Sequence, residues 1–201
     1  MAKRLFDLIM GLGALIVLSP LLLAIALAIT LGSRGPVFFR QERVGWHGRV
    51  FRIHKFRTMV ADAENSGPQL TRQGDPRITR AGGFLRRHKL DELPQLIDVV
   101  CGDMSIVGPR PEVPRYVALY PPEVRDLVLS VRPGITDAAS VTYRDESALL
   151  AAGADPERLY IDSIMPHKLA LYVEYVRHRS FAGDLAIVAR TLAALVRPAA
   201  R

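Results

Sequence analysis

The first feature of the chain is an unbroken apolar run from Leu8 to Leu31, 24 residues without a charged side chain, with Ser19 and Pro20 at its middle. As one straight helix it would reach ~36 Å, enough to cross a hydrocarbon core of about 30 Å. Pro20 works against straightness, because its ring removes a helical hydrogen bond and presses on the carbonyl of Ile16. Ser19 can bond back to the preceding turn, so the pair reads as a managed bend. The pattern then shortens. Pro36–Arg40 and Val50–His54 read as strands, and Gly45–Gly48 as the turn of a β-hairpin. Asp62–Pro76, with Gly67, Pro68 and Gly74, reads as a loop after a short helix.

Further on, Pro94 is tolerated only in a first turn, which predicts a helix starting near Asp91. Leu93, Leu96, Ile97 and Val100 share its face and Gly102 ends it. Gly108–Glu112 reads as a rigid turn holding Arg110. A helix over 113–131 is kinked or split by Pro121-Pro122, and Arg132-Pro133-Gly134 makes another tight turn. Residues 145–159 read as one short helix and a loop around Gly153 and Pro156. From Lys168 the pattern is helical again, with a break at Gly183. The stripe Phe181, Leu185, Val188, Leu192 and Leu195 is expected to pack into the core, a membrane-binding face being the alternative.

Charge changes the picture of the first run. Lys3 and Arg4 precede it, and Arg34, Arg40, Arg43, Arg49 and Arg52 follow it, so the positive-inside rule wants both ends on the cytoplasmic side. A helix that turns back satisfies this, a straight span does not, and charge and length together leave both open. A cleavable signal peptide fits poorly, since the run is too long and Leu31–Arg34 is a poor cleavage site. The net charge of +7 is uneven, +10 over residues 1–90 and −3 over 91–201. A basic block beside an apolar anchor points to anionic lipid head groups or a phosphate-bearing substrate. Nucleic acid is disfavoured, because no nucleic-acid-binding motif accompanies the charge. Segment 34–57 interleaves seven Lys or Arg with Phe38, Phe39, Trp46, Phe51 and Phe56. It suits a bilayer surface or a half-buried hairpin. A second basic cluster, Arg72, Arg77, Arg80, Arg86, Arg87 and Lys89, faces only Asp75. The single Cys101 excludes an internal disulfide, fits a reducing cytoplasm and reads as a small core residue.

Candidate chemistry begins where that cluster ends, at Asp91-Glu92. Two adjacent carboxylates at a helix start can bind a divalent cation, attack phosphorus or move a proton, or can simply suit the helix dipole. Arg110 between two prolines, and Arg132 and Arg144 around another Gly-Pro turn, offer pre-organised forks for phosphate, or structural carbonyl clamps. No Walker loop, zinc set or Ser-His-Asp arrangement is present, and the five histidines lack metal-ligand spacing.

Taken in order, several motifs become specific together: Ser19-Pro20 inside the apolar run; Lys55-Phe56-Arg57-Thr58-Met59; Leu90–Gln95; Gly102-Asp103-Met104-Ser105; Gly108-Pro109-Arg110-Pro111; and Arg132–Thr136. Across nearly the whole chain this resembles the bacterial sugar transferase family, the small monotopic phosphoglycosyl transferases. The resemblance implies transfer of a phosphosugar from a UDP-sugar to undecaprenyl phosphate, with UMP leaving, as the first membrane step of surface glycan synthesis. It implies that Asp91 is the nucleophile, forming a covalent phosphosugar intermediate. Glu92 then activates the acceptor or positions the metal. Mg²⁺ or Mn²⁺ sits near Asp91, and Lys55, Arg57, Arg86, Arg110, Glu112, Arg132 and Arg144 bind substrate and phosphate. It also implies an α+β, mainly helical fold. A re-entrant membrane helix, broken at Ser19-Pro20, would occupy 1–33. A compact cytosolic domain with a β-hairpin and amphipathic helices would occupy 34–201, monotopic on the cytoplasmic face of the bacterial inner membrane. UDP-sugar, undecaprenyl phosphate and anionic lipids are the expected partners, with a homodimer allowed and nucleic acid not expected. The chain departs from the family at Asp137–Tyr143, where many members carry Gly-Leu-Ala-Gln-Val-Asn-Gly, and is longer over 155–168 than the smallest members. A membrane-anchored basic adaptor without catalysis, and direct single displacement with Glu92 as base, are the competing readings.

Overall fold

The structure is a computed structural model and describes residues 2–63, 70–71 and 74–196, with side chains to Ala194. Arg72, Gly67, Pro68 and the side chain of Leu195 lie outside what is described. The apolar run forms the body of one long helix, α1 (Ala2–Gly32). It is followed by the expected hairpin, β1 (Phe38–Val44) and β2 (Val50–Phe56), paired antiparallel from Phe38 opposite Phe56 to Val44 opposite Val50. The fold is mainly helical, with small two-stranded sheets.

The helical assignment of α1 runs without interruption through Ser19 and Pro20, so the expected break does not divide it into two helices. The Ser19 hydroxyl donates to the Ile16 carbonyl at 2.8 Å, meeting the acceptor that proline leaves free. One stripe of α1 is buried, at Asp7, Gly11, Ile25 and Ile29, while Leu12, Ile16, Val17 and Leu23 are exposed. Its N-terminal end is tied to the body by polar contacts. Arg4 donates to the carbonyls of Val99 (2.6 Å) and Val100 (3.0 Å). Asp7 accepts from the Ser105 hydroxyl (2.9 Å) and the Ile106 N–H (3.0 Å). Its other end is held by packing, Ile25 and Ile29 against Phe56 and Leu85. Both ends of α1 therefore rest on the same body.

Thr79 caps α2 (Arg80–Arg87) by accepting the Gly82 N–H at 2.9 Å. A tight turn at Leu90–Glu92 precedes α3 (Gln95–Cys101), so the regular helix starts after Pro94 rather than near Asp91. Gly102 ends α3 with φ 95°, the left-handed backbone that glycine adopts without strain. Cys101 is exposed there, against the expectation of a core residue. A parallel pair that periodicity had hidden follows, β3 (Ser105–Val107) with β4 (Gly134–Thr136). Three residues are too short to show alternation; β3 ends where the Gly108–Glu112 turn begins, and β4 starts on the last residue of the Arg132–Gly134 turn. The approach is close: a Cβ on Gly134 would lie 2.1 Å from the Gly108 nitrogen.

Pro121-Pro122 splits the 113–131 helix as anticipated, into α4 (Pro114–Val117) and α5 (Pro122–Val128). After β4 come α6 (Ala138–Thr142), α7 (Glu146–Ala152), α8 (Pro156–Leu159), a π-turn over Tyr160–Ile164, α9 (Met165–His178) and α10 (Phe181–Val196). The main core joins Tyr116, Val117, Tyr120 and Val128 to Tyr160, Ile164, Leu169 and Tyr172. The break before α10 falls at Arg179-Ser180, not at Gly183, which lies in its first turn. The α10 stripe is also not core: Phe181 is 51%, Leu185 43% and Leu192 59% exposed. The helix is turned instead so that Asp184 is buried, where it pairs with Lys3 of α1. A stripe reports which face is apolar, and the ion pair decides which face turns inward.

Candidate active site

Lys89 adopts a left-handed backbone (φ 56°), which swings the chain out of α2 and into the Leu90–Glu92 turn. Asp91 and Glu92 then open onto a cleft of about 420 Å³. The two carboxylates are held in opposite ways. Glu92 accepts from Lys55 Nζ at 2.9 Å and from both terminal nitrogens of Arg110, one of them at 3.0 Å. Burial alone would raise the Glu92 carboxyl, but Arg110 and Lys55 outweigh it and hold the group well below the usual range. Asp91 is 8% exposed and its buried Oδ1 accepts a hydrogen bond from none of the described residues. Burial, and then the charge of Glu92, push its carboxyl above the ordinary value, opposed by Lys55, Arg86 and Lys89.

Four cations surround this corner of the cleft: Lys55 from β2, Arg86 from the last turn of α2, Lys89, and Arg110. Nη1 of Arg86 is buried without a hydrogen-bond partner among the described residues. Glu112 also lines the cleft, where it accepts from Arg43 Nη1 (3.2 Å), its neighbour's N–H and the Tyr160 hydroxyl. Arg144 is there too, bonded to the Ala194 carbonyl at the end of α10.

Two arginines expected at the site are elsewhere. Arg132 donates Nε to the Gly102 carbonyl at 2.8 Å and lies 4.3 Å over the Trp46 ring, outside the cleft lining. Arg57 is buried where α1 ends, its Nη2 on the carbonyl (2.7 Å) and hydroxyl (2.9 Å) of Ser33. Both hold backbone carbonyls, which for Arg132 was the alternative reading of a turn arginine. Residues that pattern had not singled out take their place: Arg43, Lys89, Glu146, Tyr160 and Lys168 all line the cleft. Arg43 and Lys89 were visible only as members of basic runs. Glu146 and Lys168 carried no signal of chemistry.

Among the described residues no group of three or more His, Cys, Asp or Glu could hold a metal. One buried carboxylate oxygen without a partner, on Asp91, fits a cation shared with substrate phosphates rather than caged by protein.

A carboxylate pair in a ring of cations lies on a body that also carries a helix long and apolar enough to cross a membrane. The family model of the bacterial sugar transferases matches residues 1–198, and the chain belongs to that family. It is 40% identical over 192 residues to the UDP-N-acetylgalactosamine-undecaprenyl-phosphate N-acetylgalactosaminephosphotransferase of Aeromonas hydrophila, covering 94% of this chain and 42% of that protein. It is 38% identical over 193 residues to the UDP-glucose:undecaprenyl-phosphate glucose-1-phosphate transferase of Escherichia coli (strain K12), covering 94% and 39%. The protein of the same name from Caulobacter vibrioides is 37% identical over 196 residues, covering 96% and 69%. The chain thus spans about two fifths of the length of the first two relatives.

Proposed function

We propose that the cleft transfers a phosphosugar from a UDP-sugar to undecaprenyl phosphate, releasing UMP, in two displacements through Asp91. The observation that carries this reading is the division between the two carboxylates. Glu92 has both oxygens committed to Arg110 and Lys55, whereas Asp91 Oδ1 has no partner among the described residues. In the first step an Asp91 oxygen attacks the sugar-bearing phosphorus, and the bond to the UMP oxygen breaks with its electron pair going to UMP. In the second an oxygen of the lipid phosphate attacks the same phosphorus and the Asp91–phosphorus bond breaks. Lys55, Arg86, Lys89 and Arg110 oppose the charge that builds on the transferring group in both steps. Glu92, held well below the ordinary carboxyl range, is a poor proton acceptor and serves to orient Lys55 and Arg110. Mg²⁺ or Mn²⁺, held by Asp91, would neutralise the donor diphosphate and make UMP a better leaving group.

The same reading places α1 re-entrant in one leaflet, with the body on the cytoplasmic face of the bacterial inner membrane against anionic lipids. Support comes from its two ends. A helix crossing the bilayer would separate them by the membrane, yet Arg4 and Asp7 at one end and Ile25 and Ile29 at the other rest on one body. The donor then arrives from water and the acceptor from lipid at the cleft.

The test is incubation of the purified full chain with labelled UDP-sugar, Mg²⁺ and undecaprenyl phosphate. Label should appear covalently on the protein when acceptor is withheld and should chase into lipid on its addition. Full turnover by Asp91→Asn would remove Asp91 from the reaction.

A further inference from the structure

The cleft has two chemically distinct halves. Around Asp91 the cations outnumber the acids and suit phosphate. In the other half the charged side chains are held: Arg43 by Glu112, Lys168 by Glu146, and Arg144 on the Ala194 carbonyl. Such a surface suits an uncharged polar group, because an anion or cation there would have to displace an existing partner.

Within that half Glu146 is singular. Its Oε2 accepts from Lys168 Nζ at 2.8 Å, and Lys168 is itself only 6% exposed and 5.2 Å from the Tyr160 ring. Oε1 accepts from none of the described residues, and the residue lines the cleft beside Ser147. An ionised carboxylate is an acceptor only, so what it binds must donate. In a nucleotide sugar the donors are hydroxyls, the N–H of the base and, in an N-acetylated sugar, one amide N–H, which offers a single donor where a diol offers two. The base N–H is flanked by two carbonyl oxygens that repel a carboxylate, whereas adjacent hydroxyls can both point at it.

We infer that Glu146, braced by buried Lys168, binds a pair of vicinal hydroxyls on the donor. This rests on the transferase reading for the donor's identity. The diol belongs either to the ribose or to the transferred sugar, and the two sources are separable.

Dissociation constants are measured for the full chain in detergent with UMP, 2′-deoxy-UMP, UDP-glucose, UDP-galactose and UDP-N-acetylgalactosamine, for wild type and Glu146→Gln. Loss of hydrogen bonds to a charged acceptor should weaken binding about 10- to 100-fold. If the ribose is held, UMP and every donor weaken together while 2′-deoxy-UMP does not. If the sugar is held, UMP is unchanged and the order among donors shifts. Either result supports Glu146, and binding of all five ligands within twofold of wild type overturns it. Should Glu146→Gln melt early because Lys168 is left unpaired, Glu146→Gln/Lys168→Met removes both charges and must show the same loss. Wild type that binds donors but releases no UMP refutes the transferase reading and leaves Glu146 assigned. Wild type that binds neither UMP nor any donor overturns both.

Discussion

Asp91 and Glu92 are neighbours in sequence, yet neutralising each should move stability in opposite directions. Replacing Glu92 by Gln strands two cations: Lys55, with 16% of its side chain exposed, and Arg110, with 27%. Removing one partner of a largely buried ionic cluster costs about 3 kcal/mol. For a chain of this size that corresponds to a melting point lower by roughly 6–12 °C. Asp91→Asn removes a buried charge that no described residue bonds through Oδ1, and should stabilise by about 1 kcal/mol. The melting point should then rise by about 2–4 °C. The pH dependence follows the same signs. The Glu92 carboxyl is depressed, so its contribution is complete above the ordinary glutamate value and fades as pH falls through the depressed one. The Asp91 carboxyl is raised, so ionising it costs stability, and that cost is in force above its raised value. Thermal melts of the full chain and both variants in detergent at neutral pH measure the pair, with both variants losing turnover. Shifts of the same sign would refute the assignment of one carboxylate as held and the other as free.

Three further outcomes follow from the geometry. Covalent labelling by UDP-sugar should fall as pH drops through a value above 3.8, because the Asp91 carboxyl is raised by burial; a midpoint at or below 3.8 in stopped labelling would contradict this. Gly82→Ala would place a Cβ 2.0 Å from the Thr58 carbonyl oxygen, forcing α2 away from the Thr58 backbone at about 1–3 kcal/mol and carrying Arg86 away from the cleft, which melts and labelling rates would read. Chelation of divalent cations should stop UMP release without lowering the melting point, since no described cluster of protein ligands depends on a metal; a large drop in melting point would point to a structural metal instead.

Much of the secondary structure was legible locally. Gly45–Gly48 set the hairpin, Gly102 ended α3, and Pro121-Pro122 split the helix between α4 and α5. Each depends on backbone restrictions carried by the residue itself. The motifs likewise named Asp91-Glu92 and placed Lys55, Arg86 and Arg110 beside it. Only tertiary structure separated the two carboxylates, because the groups that hold Glu92 lie 18 and 37 residues away. It also sent Arg57 to Ser33 and Arg132 to Gly102, and paired β3 with β4 across segments too short to show a period. It turned the apolar stripe of α10 outward, since Asp184 had to meet Lys3 of α1. A proline or glycine acts first on its own peptide bonds, so sequence carries much of its effect, although Pro20 and Gly183 both sit inside unbroken helices. Whether a charge is committed or free depends on which other charges the fold brings within about 4 Å, and that distance exists only once the chain has closed on itself.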